Sequence, residues 1–147
     1  MKYTSTREDK ELLNFKQVTL KGLASDGGLY VPENWKQFNL KLTNRDITFE
    51  KTAYEIIKYF VGKSLDNQLL EKIISRSYKS FRNNEVTTLK QLDKNNYILE
   101  LYHGPTLAFK DIALQFLGNA FEVFLKKEKK KLTIIGATSG DTGSAAI

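Results

Sequence analysis

The sequence predicts an α/β protein in which a mainly helical region, residues 1–82, precedes a strand–helix–strand unit, residues 83–147. Apolar residues recur at helical spacing in the first region. In the second, β-prone runs flank a long amphipathic helix, and a glycine-rich turn follows the last run. Two parallel strands do not make a finished sheet, because independent sheets need three or more. We therefore expect the second region to be incomplete.

The chain begins with a short predicted helix and a turn. Phe15 and Val18 line one side of this helix, and Gly22 ends it, as glycine commonly does. Residues 25–28 form a turn signal. We expect residues 29–32 to be extended, because a residue before proline is biased away from helix.

Two longer helices are predicted next, over residues 49–60 and 69–81. In both, apolar residues recur at the spacing of one helix face. Ser64 or Asp66 is available as the N-cap of the second helix. A few residues around Gly62 join the two helices, which is typical of an αα-hairpin.

The second region changes period. Residues 97–102 and 132–135 are β-prone runs, and between them residues 113–130 carry apolar side chains on one helix face. The last run leads into the glycine-rich segment 136–143. This order predicts a right-handed βαβ unit with a parallel strand pair.

Composition narrows the chemistry. The 147 residues contain no cysteine, which excludes disulfides, thiolate catalysis and cysteine zinc sites, and one histidine, His103, which argues against a histidine-rich metal site. The net charge is 23 − 17 = +6; we expect no nucleic-acid binding, since the basic run 126–131 is typical of a solvated helix end. No apolar leader or membrane-length run occurs, so we expect a cytoplasmic location and no membrane partner.

The glycine-rich segment 136–143 is the first candidate site. Small residues between a strand and a helix expose backbone N–H groups to an anionic ligand, and Ser139, Thr142 and Ser144 add hydroxyls. The spacing matches neither standard nucleotide-binding glycine motif. Asp141 argues against a pure phosphate cradle. A ligand loop and a merely tight turn both remain open.

Lys110 is the second candidate. It precedes the long helix and follows apolar residues, and both features favour the unprotonated amine that a Schiff base needs. Asp111 would act in the opposite direction if its carboxylate lay close to the amine. A solvated surface lysine is the alternative. For His103 we expect a structural hydrogen-bonding role rather than a catalytic one.

Four segments resemble the threonine synthase family. Residues 102–111 (YHGPTLAFKD) resemble its cofactor-lysine motif, and residues 136–146 (GATSGDTGSAA) resemble its substrate and cofactor loop. Residues 3–7 and 22–32 are similar to its N-terminal domain. The resemblance implies a pyridoxal-phosphate enzyme of the tryptophan-synthase-β-like fold. It would be a carbon–oxygen lyase that converts O-phospho-L-homoserine and water to L-threonine and phosphate.

The resemblance also implies roles for individual residues. Lys110 would form the Schiff base with pyridoxal 5′-phosphate and would then move protons between substrate carbons. The cofactor would contact Ser139, Asp141 and Thr142 as well, and the substrate would contact Thr138, Ser139, Gly140, Thr142 and Gly143. No metal is implied, and the oligomeric state is not given.

The chain stops at Ile147, within a predicted first helical turn, so we expect a fragment of a longer enzyme. The family's loop for the cofactor phosphate would lie further along. Without this loop we expect the affinity of the chain for the cofactor to be lower by roughly 10³- to 10⁶-fold. We also expect no turnover. The alternatives are another pyridoxal-phosphate lyase or dehydratase of the same fold, and a non-catalytic short form that binds a partner through its sheet edge. A nucleic-acid binder is supported only by the net charge.

Overall fold

The computed structural model describes residues 1–35, 37 and 47–147. The described helices are α1 (Phe15–Lys21), α2 (Phe49–Val61), α3 (Asn67–Tyr78), α4 (Asp111–Glu128) and α5 (Asp141–Ala146), and a 3-10 turn spans Gly62–Ser64. The described strands are β1 (Tyr3–Ser5), β2 (Tyr30–Pro32), β3 (Thr88–Gln91) and β4 (Tyr97–Glu100). Within the described ranges, no helix is both long enough and apolar enough to cross a membrane.

The chain divides into two compact units. The first comprises residues 1–47 and 51–71, and the second comprises residues 48–50 and 72–147. The domain boundary expected after residue 82 stays a prediction.

The first unit is built around a two-stranded antiparallel sheet. β1 pairs with β2 so that Tyr3 lies opposite Pro32. Tyr3 is buried with Leu13 and Val18, and its hydroxyl donates a 2.7 Å hydrogen bond to the Phe60 carbonyl. Burial raises the pKa of the Tyr3 hydroxyl to about 12. The extended run predicted around β2 is therefore confirmed, and it is one edge of this small sheet.

Helix α1 has the predicted position and the predicted stop. Asn14 and Gln17 cap its first turn reciprocally, each side chain accepting a hydrogen bond from the other residue's backbone N–H. Gly22 ends the helix with a φ of 77°, in the left-handed region that favours glycine. Asn14 supplies a cap that the sequence reasoning did not assign.

The Asp26 carboxylate holds the first unit's turn to its first strand. It accepts hydrogen bonds from Ser5 Oγ at 2.9 and 3.0 Å, from the Asp9 N–H at 2.8 Å and from the Gly28 N–H at 2.8 Å. A Cβ at Gly28 would lie 2.1 Å from Ser5 Oγ, so only glycine fits there. The hydrogen bond from the Asp9 N–H is the largest of the causes that lower the pKa of Asp26 to about 2.

The two longer predicted helices are present as α2 and α3. Of the two candidate caps, Asp66 is the one that caps α3, because its Oδ1 accepts a 2.8 Å hydrogen bond from the Leu69 N–H. Ser64 Oγ instead accepts from the Lys16 N–H at 3.3 Å and ties the 3-10 turn to α1. A tight helical turn at Gly62–Ser64 separates α2 from α3.

The second unit contains a β-hairpin that the sequence reasoning missed. The strand predicted over 97–102 forms as β4 over its first four residues, but its partner is β3, antiparallel, with Thr88 opposite Glu100. Asp93 stabilises the turn by accepting hydrogen bonds from the Asn95 and Asn96 N–H groups, each at 3.0 Å. The segment that follows the predicted boundary at residue 82 is therefore largely this hairpin.

The predicted parallel strand pair is not formed by the described residues, which corrects the prediction from the sequence. In the described part of the chain, residues 132–135 form no strand, and the side chains of Ile134 and Ile135 are 68% and 93% exposed. A strand exists only when a neighbour accepts and donates its ladder hydrogen bonds. β4 finds that neighbour in β3, and residues 132–135 find none among the described residues. The βαβ unit is thus not formed here.

Helix α4 is the centre of the second unit. Ala120 and Phe124 are completely buried. The C-terminal part of α3 packs on α4, since the Tyr78 hydroxyl donates to the Ile112 carbonyl at 3.1 Å and Asn119 Nδ2 donates to Ser77 Oγ at 3.1 Å. This packing fixes the helix whose first turn follows Lys110.

Candidate functional site

Lys110 lies immediately before α4 and lines a cleft of about 420 Å³. The cleft is lined by Leu101, Phe109, Lys110, Ile112, Ala113, Leu114 and Thr142. Lys110 Nζ lies 5.1 Å from the centroid of the Phe109 ring, and its side chain is 30% exposed. The lysine is therefore not the fully solvated surface residue that the sequence left open. Its amine sits at an apolar cleft.

The structure brings Lys110 together with two residues of the glycine-rich segment. Lys110 Nζ lies 4.0 Å from Asp141 Oδ2, and Thr142 lines the same cleft. Asp141 is the first residue of α5, which packs against α4. The Lys110 amine thus lies close to the Asp141 carboxylate, and Lys110 and Thr142 line the same cleft.

Thr138 organises the rest of the glycine-rich segment. Its Oγ1 accepts hydrogen bonds from the Gly140 N–H at 3.2 Å and from the Gly143 N–H at 3.0 Å. Ser139 and Gly140 are exposed. The segment is a tight turn stabilised by hydrogen bonds to its own Thr138 side chain. Two of the backbone N–H groups that a ligand loop would offer are therefore already bonded to Thr138.

His103 connects the two strands of the hairpin to the loop that follows. Its Nε2 lies 2.9 Å from Thr88 Oγ1 and 3.2 Å from Glu100 Oε2. Thr88 Oγ1 also donates to Glu100 Oε2 at 2.8 Å, and this hydrogen bond is the largest of the causes that lower the pKa of Glu100. The His103 carbonyl accepts from the Arg82 N–H at 2.8 Å. These contacts fit the structural role expected for His103.

Asp111 has a position that the sequence did not reveal. Its side chain is completely buried, although Asp111 directly follows Lys110. Its Oδ2 accepts a 2.9 Å hydrogen bond from the Thr106 N–H, and its Oδ1 accepts a 2.6 Å hydrogen bond from Thr106 Oγ1. Thr106 was not among the predicted site residues, and its i, i+5 spacing from Asp111 is no standard motif. The pair joins the loop before the lysine to the first turn of α4.

The loop that Asp111 holds is tightly bent. A Cβ at Gly104 would lie 2.3 Å from Asp111 Oδ2 and 2.4 Å from Asp111 Cβ. Leu107 adopts a φ of 64°, which costs a residue with a Cβ roughly 1 kcal/mol, and its side chain is 51% exposed. Because the Leu107 side chain is half exposed, its packing offsets little of the cost of this φ. The conformation of the loop therefore depends on the loop's hydrogen bonds.

Comparisons with known proteins agree on one family. Residues 2–78 match the family described as threonine synthase N terminus. The threonine synthase of Pseudomonas aeruginosa is 47% identical over 149 residues, covering 100% of this chain and 32% of the relative. That of Schizosaccharomyces pombe is 45% identical, covering 99% of this chain and 30% of the relative. This chain spans about a third of the length of these curated relatives.

Solved structures give the same result. The PLP-bound threonine synthase from Brucella melitensis matches with a TM-score of 0.93 and 41% identity, covering 99% of this chain and 32% of that one. The threonine synthase from yeast matches with a TM-score of 0.90 and 44% identity, with the same coverage of both chains. At these identities the similarity is one of sequence as well as of fold.

Proposed function

The chain belongs to the threonine synthase family, and from that premise we propose that the protein containing these residues converts O-phospho-L-homoserine and water to L-threonine and phosphate. The observation that carries the proposal is the Lys110 amine at an apolar cleft, 4.0 Å from the Asp141 carboxylate. Because the chain spans about a third of its relatives' length, the activity belongs to the whole protein.

The residues of the cleft fit pyridoxal phosphate as the cofactor. A volume of about 420 Å³ lies within the roughly 300–1,000 Å³ of small-molecule sites. The apolar lining, which includes Phe109 and Leu101, suits an aromatic ring, and Lys110 supplies the amine that bonds to it covalently. When bound, the cofactor supplies an electron sink for negative charge on a substrate carbon.

Lys110 would also act after the substrate has taken its place on the cofactor. The freed amine would take a proton from one substrate carbon and return it to another, which requires a base held within hydrogen-bond reach. The apolar walls of the cleft would exclude bulk water from this step.

The glycine-rich segment would contact both cofactor and substrate. We propose that Ser139, Asp141 and Thr142 contact the cofactor, and that the substrate carboxylate is held by Thr138, Ser139, Gly140, Thr142 and Gly143. The position of Thr142 in the lining of the Lys110 cleft supports this assignment.

The finer fold assignment and the location are part of the same proposal. We propose that a tryptophan-synthase-β-like domain begins at residue 83 and that residues 132–135 join its sheet in the whole protein. The exposure of Ile134 and Ile135 supports this, because a sheet would bury both side chains. The cytoplasmic location stays a prediction.

The test uses the full-length protein with O-phospho-L-homoserine. We expect threonine and phosphate in equal amounts, and we expect Lys110→Ala to lower the rate by more than about 10³-fold. Lys94→Ala, a change of an exposed lysine in the hairpin turn, is the matched control and should leave the rate unchanged. Borohydride reduction followed by peptide mass spectrometry should place the cofactor on Lys110. A keto acid product would contradict the proposal and support a dehydratase or lyase of the same fold.

A further inference from the structure

We propose that Thr106 and Asp111 form a positioning pair that holds Lys110 in the orientation needed for its bond to the cofactor. The inference rests on the proposed function of Lys110 and assigns a role to two residues outside the cleft lining. Neither residue is among those that line the cleft. Their effect would pass through the backbone of Lys110, so they are positioning residues rather than catalytic ones.

The pair is a buried, two-point connection. The completely buried Asp111 carboxyl group accepts from Thr106 twice, from the backbone N–H at 2.9 Å and from Oγ1 at 2.6 Å. A polar group without water depends on its protein partners, so removing either hydrogen bond leaves an acceptor unpaired. The two hydrogen bonds together fix both the distance and the angle between the loop and α4.

Lys110 lies between the two structures that this pair joins. Its carbonyl accepts hydrogen bonds from the Ala113 and Leu114 N–H groups at 3.1 and 2.8 Å, so its backbone belongs to the first turn of α4. On its other side, the loop passes through Leu107 with its unfavourable φ of 64°. If the hydrogen bonds between Thr106 and Asp111 break, the loop can relax toward an ordinary conformation and move the Lys110 backbone with it.

A small displacement of this backbone matters for the amine. Lysine has a long flexible side chain, so its amine is positioned only if the backbone and the cleft walls restrict it. A misplacement of about 1 Å can cost on the order of 10²-fold in a positioned reaction. The structure therefore predicts that Thr106 affects the rate of bond formation at Lys110 more than it affects substrate binding.

The test compares three variants of the full-length protein. Thr106→Val removes the hydroxyl donor and keeps the shape, and Thr106→Ser keeps the donor. The matched control is Thr19→Val in α1, which also removes a hydroxyl hydrogen bond, that from Thr19 Oγ1 to the Phe15 carbonyl at 2.8 Å. The first readout is the rate constant for linkage of pyridoxal phosphate to Lys110, followed by absorbance and by borohydride trapping. The second is the separate measurement of kcat and KM.

We expect Thr106→Val to slow linkage and lower kcat by about 10- to 100-fold, with KM within about 3-fold of wild type. Thr106→Ser should restore both rates to within about 3-fold, and Thr19→Val should change neither. If Thr106→Val fails to fold, Asp111→Asn, which removes one acceptor, is judged by the same two rates.

Two results would separate this inference from the proposed function. If Thr106→Val lowers thermal stability but links cofactor as fast as Thr19→Val, the pair is merely structural and the inference is overturned. If Thr106→Val slows linkage while the wild-type protein makes no threonine, the positioning role holds and the proposed reaction fails.

Discussion

Replacing Gly104 with alanine tests the packing around Asp111 directly. A Cβ built at Gly104 lies 2.3 Å from Asp111 Oδ2, 2.4 Å from its Cβ and 2.7 Å from its Cγ. Real Cβ atoms do not approach other atoms so closely, and the Asp111 side chain is completely buried, so it cannot swing into solvent. Gly104 does not adopt a positive φ, so the expected cost is steric rather than conformational.

The magnitude follows from two contributions. Overpacking a well-packed site costs about 1–3 kcal/mol. If the carboxyl group is displaced from Thr106, each broken hydrogen bond to a charged group adds about 1.5–3 kcal/mol. If one of the two hydrogen bonds from Thr106 breaks, the two contributions add, and we expect Gly104→Ala to lower the free energy of unfolding by about 2.5–6 kcal/mol.

The matched control is the same substitution at Gly118. Gly118 lies in the middle of α4, and a Cβ there would meet nothing within 4 Å. Because alanine is the better helix former, Gly118→Ala should raise the free energy of unfolding by about 0.5–1 kcal/mol. The same added methyl group is thus expected to lower the free energy of unfolding at position 104 and to raise it at position 118.

The assay is urea unfolding of the purified protein and its two variants, followed by circular dichroism. If Gly104→Ala is as stable as the wild type to within about 0.5 kcal/mol, Asp111 does not lie against Gly104 as described. The positioning pair would then lack the steric constraint described around Asp111. A destabilised Gly118→Ala would instead show that the surface of α4 is covered.

Two further predictions concern stability. The pKa of Asp26 is lowered to about 2 in the folded protein, below the roughly 3.9 of an unfolded aspartate. Its stabilisation is therefore present above about pH 4 and lost as the pH falls toward 2. Asp26→Asn should flatten this part of the acid-unfolding curve, and identical curves would contradict the prediction. Phe124→Ala, at a completely buried position in α4, should cost about 3–5 kcal/mol in urea unfolding. The exposed Leu99→Ala should cost less than about 1 kcal/mol, and equal costs would refute the assignment of the core.

The helices were predictable because their signal is local. Apolar spacing located α2, α3 and α4, and residue type offered Asp66 as one of two candidate caps for α3, of which the structure selects Asp66. Strand pairing is not local. β3 (Thr88–Gln91) has no apolar alternation, and the polar turn after it is typical of a linker. Residues 132–135 have strong β-propensity, but propensity does not supply a neighbouring strand.

The candidate site was predictable in part for the same reason. The motif around Lys110 and the glycine-rich segment are each one continuous stretch of sequence, so each could be recognised by itself. The structure brings Lys110 within 4.0 Å of Asp141. The burial of Asp111 was not predictable. An aspartate in a first helical turn is normally solvated and favours the helix dipole, and only the fold shows that Thr106 reaches it.

The Asp26 network has a consequence for how the chain folds as it is made. The partners of Asp26 are Ser5, Asp9 and Gly28, and the buried cluster of Tyr3, Leu13 and Val18 draws on the same stretch. β1 and β2 also both lie before residue 33. These interactions span short loops, which close at little entropic cost. The first unit, which ends at residue 71, can therefore assemble on the ribosome while the Lys110 segment is still being translated.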